Sequence, residues 1–380
     1  MSVSGLSRLG VLMAMSAAAL LLPTAQAQQS RESIFAKVEP SLRDRAFMRL
    51  NYIVANVKTS SSDARDVTGP VLNRGDIKEY LGPGTAYAAD YAAGNTPYTK
   101  LSVSFTNGTQ FLDERLNNGM ELDANNGCET VRDGLGTPCG IKARSGAMVG
   151  TPAVSVGYFF NDEYTWFVEA FVLAAPLRVS VYGDGNNNLN GREIIQLKLL
   201  PPVAILGRYF GEAQARVRPF VGFGASYAMF FDTKATSTLN TYQGGRSPGD
   251  TSVSLKNAMG YGPFAGVKMQ LDDDWHINLN IGKIRFKPEA TLITRNTTIT
   301  GDSEVLKAYG PAVQGAMQVG EELEVKDRAT GADASTTTAV MCLLAKYRDG
   351  REGCNLGTFV RKQSTVLDNT MFMLSVGRRF

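Results

Sequence analysis

The chain has 380 residues, a formal charge of +3 and one histidine, a balance that argues against a polyanionic partner such as nucleic acid. Apart from the extreme N-terminus no stretch approaches 18 apolar residues, which excludes a helical membrane protein. With 39 Gly, 18 Phe and 14 Tyr, the composition suits a β-rich protein with many turns.

Residues 1–27 read as a signal peptide. Arg8 precedes an apolar run to Leu22, and Ala25-Gln26-Ala27 offers small residues for cleavage before Gln28. A transmembrane anchor is disfavoured, because the run is short and meets Pro23. Export implies an oxidising compartment. There Cys128 with Cys139, and Cys342 with Cys354, are close enough in sequence for two local disulfides. With a single histidine and no C-x-x-C, a metal site is disfavoured and no cofactor is expected.

Eight segments have strand character at membrane-spanning length: about 45–57, 149–160, 165–182, 193–210, 214–232, 253–271, 275–290 and 369–380. Three pairs are joined by tight polar turns, at Asn161-Asp162-Glu163, Gly211-Glu212 and Asp272-Asp273-Asp274. The remaining connections are long, above all 58–148 and 291–368. Short turns on one side and long loops on the other predict an all-β fold, an eight-stranded antiparallel up-and-down transmembrane β-barrel with two long extracellular loops. An even strand number puts both termini in the periplasm. In the last strand Phe372, Leu374, Val376 and Phe380 share one face, as a lipid-facing strand requires. That strand, ending on Phe380, is the expected handle for the barrel-assembly machinery, and outer-membrane lipid and lipopolysaccharide are the expected surroundings. Inside the loops, alternation at 100–105, a turn-rich stretch at 117–127, and helices near 303–319 and 337–347 are expected, together with folding of the loops over the mouth.

A charge facing lipid costs about 2–4 kcal/mol at the midplane, so charged residues are assigned inward wherever the register permits. This places Ala175, Lys198, Pro202 and Ala204 in the lumen. It also gives a polar floor of Glu169, Arg208, Arg216, Arg218, Lys268 and His276 beside the short turns. An apolar upper wall follows from Phe171, Leu173, Leu177, Leu200, Leu206, Phe220, Phe230 and Phe264. Eight strands enclose room for side chains or one small ligand, and apolar walls with few polar groups favour a hydrophobic one. Side chains that merely fill a core are the competing reading of the same residues. His276 lies beside a periplasmic turn rather than at the outer end, so no catalytic constellation is expected.

Several runs carry a resemblance: Gly157-Tyr158-Phe159-Phe160-Asn161-Asp162, Ala174-Ala175-Pro176-Leu177, Leu200-Pro201-Pro202-Val203, Gly207-Arg208-Tyr209-Phe210 and Arg218-Pro219-Phe220-Val221-Gly222. With the closing Met373–Phe380 run they resemble the OmpW family of small outer-membrane barrels. The resemblance implies a conduit for small hydrophobic molecules, entering the lumen from outside and leaving sideways into the bilayer. A structural or surface-interaction barrel, an adhesin or receptor working through its long loops, is the alternative.

Overall fold

The computed structural model describes residues 45–101, 108–126, 132–185, 187–321 and 324–379. The expected signal peptide, Cys128, the 102–105 part of the alternating stretch and the terminal Phe380 lie outside them.

Eight staves make the wall: β1 (Ala46–Ser61), β2 (Lys142–Phe159), β3 (Trp166–Leu173 and Leu177–Asp184), β4 (Glu193–Leu200 and Val203–Tyr209), β5 (Val217–Ala235), β6 (Thr251–Leu255 and Ala258–Gln270), β7 (Trp275–Phe286 and Glu289–Thr294) and β8 (Phe359–Arg379). Each pairs antiparallel with its neighbour in sequence, and β1 pairs with β8 from Phe47↔Arg379 to Ser61↔Thr365. The sheet is therefore closed, which leaves no edge unpaired in hydrocarbon.

Alternation along the staves sorts the side chains. Val156, Val172, Val221, Phe223, Leu279, Ile281, Phe372 and Leu374 are exposed on the outside, while their neighbours in sequence face inward. On β7 and β8 the outward charges stop at Arg378, opposite Trp275, and resume at Lys283, opposite Thr370, followed by Arg285 and Asp368. From Trp275 to Lys283 is eight residues of strand, which at about 3.3 Å each and tilted about 40° span about 20 Å, most of the ~25 Å height of an outer-membrane apolar band. At the short-turn end Trp166, Phe160, Phe210 and Trp275 are exposed in a girdle, with Arg208 over Trp166 and Arg378 over Trp275. Among the described residues no helix is long and apolar enough to cross a membrane.

The staves rise well past that band, so the two long connections begin later than expected, at 62–141 and 295–358. They fold into one helical cap. Helices α1 (Asp76–Leu81), α2 (Ala86–Ala92) and α3 (Gly108–Asn125) from the first connection meet α5 (Pro311–Glu321) and α6 (Thr336–Tyr347) from the second. A short helix, α4 (Ser237–Tyr242), lies between β5 and β6. The turn-rich reading of 117–127 is overturned: through residue 125 this segment is α3. Leu112, Leu116 and Met120 recur every fourth residue and are buried. Gly119, which looks like a turn signal, instead allows close approach; a Cβ there would sit 3.0 Å from the Ala312 carbonyl of α5. Arg348 at the end of α6 holds Asp76 of α1 at 2.5 Å, and Tyr347 donates to Asp90 at 2.7 Å. Cys342 is bonded to Cys354, and Cys139 is disulfide-bonded too.

Candidate functional site

The lumen has three levels, set by which residue types face inward on all eight staves. The lowest is a hydrogen-bonded floor. Arg49 of β1, only 1% exposed, pairs with Glu169 of β3 and donates to Tyr209 Oη at 3.0 Å and to His276 Nε2 at 3.1 Å. Glu169 also accepts from Ser155 at 2.7 Å, and Ser155 accepts from Asn51 at 3.0 Å. With its amide oxygen turned to the guanidinium, Asn278 accepts from Arg49 at 3.0 Å. Arg218, fully buried, donates to the carbonyls of Tyr164 and Gly211 and lies 5.3 Å from the Tyr209 ring. A buried charge must be paired and hydrogen-bonded to be tolerable, and Arg49 meets that condition on every side.

Packed against the floor is a stack of rings from Phe47, Phe159, Phe167, Tyr209 and Phe220, with centroids 4.8 to 6.4 Å apart. Glycines on adjacent staves seat these rings. A Cβ at Gly157 would fall 2.1 Å from Phe47, and one at Gly207 would fall 2.4 Å from Phe167. Above them runs an apolar belt that includes Phe171, Leu173, Val203, Phe264, Ile284 and Met371, none more than 6% exposed. Polar groups in the belt include Ser226, opposite Val203 and donating to the Pro202 carbonyl at 2.8 Å, and Asn369, whose amide has no partner among the described residues. Higher still is a polar collar: Thr59 meets Ser145 at 2.8 Å, Gln363 donates to Ser61 at 2.8 Å, and Arg361 pairs with Asp66 at 2.8 Å. The cap closes over it.

The expected site residues divide accordingly. Glu169, Arg218, Lys268 and His276 are brought together in the floor, and Phe171, Leu173, Leu177, Phe220 and Phe264 are buried in the interior. Leu200 and Phe230 are partly buried. Stave β4 corrects the inferred register. Leu206 is 51% exposed, Ala204 and Arg208 face outward with it, and Leu199, Val203, Ile205 and Tyr209 point in. Charge-inward assignment failed there because neither cation lies at the midplane. Arg208 sits in the aromatic girdle, where a charge costs only about 0–1 kcal/mol. Lys198 lies at the long-loop end, paired with Asp232 at 2.5 Å. Arg216 precedes β5 and is exposed in the turn, Ala175 is exposed where β3 breaks, and Pro202 is half-buried where β4 breaks. An upper wall that stays apolar to the mouth is likewise replaced by a belt below a polar collar, because β1, β2 and β8 contribute Thr59, Ser145, Arg361 and Gln363. Arg49 and Tyr209 are the functional-looking residues that sequence reasoning missed. The alternation Phe47, Arg49, Asn51, Ile53 against Met48, Leu50, Tyr52 carried the signal for the first.

One stretch of wall departs from regular pairing. The β2–β3 ladder runs from Phe159↔Phe167 to Ala153↔Leu173, lapses, and resumes in the same register at Arg144↔Tyr182. The β3–β4 ladder breaks at the same height, between Phe171↔Val203 and Leu177↔Leu199. Pro152, Pro176, Pro201 and Pro202 cluster there, none with an N–H to donate.

A closed eight-stave barrel with an apolar exterior and a polar-floored interior defines a small integral β-barrel of the outer membrane. The sequence model of the OmpW family matches residues 119–308, half of the chain, and the chain belongs to that family. A 157-residue stretch is 28% identical to outer membrane protein W of Vibrio cholerae serotype O1, covering 41% of this chain and 67% of that protein. Over 108 residues it is 32% identical to outer membrane protein W of Salmonella typhimurium, covering 28% of this chain and 46% of that protein. Among solved structures it is similar to the outer membrane protein OprG from Pseudomonas aeruginosa, at 14% identity, 89% and 97% coverage and a TM-score of 0.44.

Proposed function

We propose that this barrel passes small hydrophobic molecules from the long-loop, external side into the apolar belt and releases them sideways into the outer leaflet. The observation that carries this reading is the lapse in the β2–β3 ladder at the height of the belt. The floor favours a sideways exit. An apolar ligand crossing it would have to part buried ion pairs and hydrogen bonds without replacing them. The belt has the composition of a hydrophobic-ligand site, apolar with the Asn369 amide as a polar handle. Its side chains are packed closely, so a ligand displaces cap and belt side chains as it enters. In this reading both termini and the short turns are periplasmic, residues 1–27 are removed on export, and the last strand is the handle for assembly into the membrane. No chemistry is assigned to the barrel: its one histidine is held in the floor by Arg49.

The experiment is a lock across the lapse. Gly146 and Ser180 would face each other if the register continued. A Gly146→Cys/Ser180→Cys pair, oxidised, is expected to cut uptake of a hydrophobic fluorescent probe into cells at least several-fold. Reduction should restore uptake, with each single variant unaffected. Undiminished uptake in the fully cross-linked protein sinks lateral release.

The cap favours a second role. Two connections that fold into one unit with its own buried residues present a shaped external surface, as a receptor or adhesin would. Replacing 62–141 and 295–358 with short turns separates the two roles, since lipopolysaccharide or cell-surface binding would be lost while probe uptake persisted.

A further inference from the structure

The floor carries more positive charge than its own carboxylate balances. Arg49, Arg218 and Lys268 are each at least nine-tenths buried, and Glu169, shared with Arg49 and Ser155, is the acid among them. Arg218 donates from Nη1 and Nη2 to two carbonyls, which carry no countercharge, and its Nε has no hydrogen-bond partner among the described residues. Lys268, 8% exposed, has neither a hydrogen bond nor an ion pair among the described residues; its ammonium lies 5.8 Å from the Tyr209 ring. It lines a cavity of about 10 Å³ at the short-turn end, together with Phe47, Arg49, Phe159, Gln270, His276 and Arg379. That is room for about one water-sized sphere.

The other polar groups around this cavity supply no countercharge, and of them Arg379 keeps donors to spare. His276 Nε2 accepts from Arg49, the Gln270 amide donates to the Asp272 carbonyl at 2.6 Å, and Arg379 donates to the Asp273 carbonyl at 3.1 Å while lying over the Tyr164 ring. Asp274, the nearby acid of the turn, is paired outward with Arg378. A cation left in a low-dielectric cavity without a counter-charge is strongly unfavourable, and so the site selects for a guest of negative charge.

We propose that this cavity binds a small monovalent anion of halide size, held by the Lys268 ammonium and Arg379, which neutralises the floor and stabilises it in its closed form. Size favours a single-atom anion over phosphate or a lipid headgroup. Position makes it accessible from the side of the short turns rather than from the belt. The site is independent of the transport reading, since it lies at the short-turn end beneath the belt, walled in part by Phe47 and Phe159 of the aromatic stack.

The test uses the full mature chain in lipid nanodiscs. Thermal unfolding is followed in sodium chloride and in sodium gluconate at equal ionic strength, for wild type, Lys268→Met and the exposed control Lys256→Met. Wild type and Lys256→Met should show a saturable rise of several degrees with chloride. Lys268→Met should lose that response and melt higher than wild type in gluconate, because its buried charge is gone. Equal melting of wild type in the two salts, or a chloride response surviving in Lys268→Met, overturns the proposal. Bromide-soaked crystals give a second readout: anomalous density beside Lys268 Nζ supports it, and an empty cavity at saturating bromide refutes it.

Discussion

Arg49 of the first stave and Glu169 of the third form a buried ion pair across the barrel interior, although 120 residues separate them in the chain. The pair joins walls that are not hydrogen-bonded neighbours, and Tyr209, Ser155, Asn278 and His276 complete its shell. A tie of that kind holds the lower barrel in one cross-section.

Removing one partner should therefore cost far more than removing both. Glu169→Gln leaves Arg49 charged and unbalanced, and is expected to lower the unfolding free energy in lipid vesicles by about 3–5 kcal/mol. Combining it with Arg49→Met should recover most of that loss, since the interior then has no charge to compensate. Urea titration followed by tryptophan fluorescence measures both. A double variant as weak as the single one would show that the pair does not set the floor's stability.

The corrected register of β4 has a direct consequence. Leu206 faces lipid between the girdle and the midplane, so Leu206→Arg should destabilise the barrel by about 1–2 kcal/mol and reduce its yield in the membrane. Arg208→Leu, in the girdle, should change stability little. If Leu206→Arg folded as well as wild type while Ile205→Arg did not tolerate lipid, the observed alternation would be inverted.

The cap should respond to pH. Burial raises the carboxyl pKa of Asp123, and the backbone amides of Gly310 and Val313 at the start of α5 oppose that rise without cancelling it. A carboxyl whose folded pKa lies above its unfolded value binds its proton more tightly in the folded state. Its contribution thus favours the cap as pH falls through the raised value, and opposes it at higher pH. Asp113 on the same helix is raised by burial as well. Hydrogen exchange, corrected for intrinsic rates, should show α3 and α5 better protected under mild acid than at neutral pH. Asp123→Asn should flatten part of that dependence and raise protection at neutral pH. Protection that falls on mild acidification would contradict the assignment.

Period-two alternation, with the tight polar turns and the placement of charge, carried the strand count, the short-turn end and most inward faces, because lipid outside and packing inside impose opposite demands on adjacent residues. It is visible in Val217–Tyr227 and Trp275–Ile281 without any partner strand. Family membership was legible for a related reason: Gly157 and Gly207 must remain small to seat Phe47 and Phe167, and those glycines sit in the runs that carry the resemblance. β4 was misread because position along the membrane normal, not charge itself, decides what a lipid-facing cation costs. Sequence shows charge; height appears only once neighbouring staves are aligned.

What only the tertiary structure decided depends on contacts between distant segments. Arg49 meets Glu169, Asp66 meets Arg361, and α3 meets α5 only after the barrel closes and brings the two long connections to the same end. The three levels of the lumen are of the same kind. Each is a ring assembled from eight staves, and no single strand's pattern contains it.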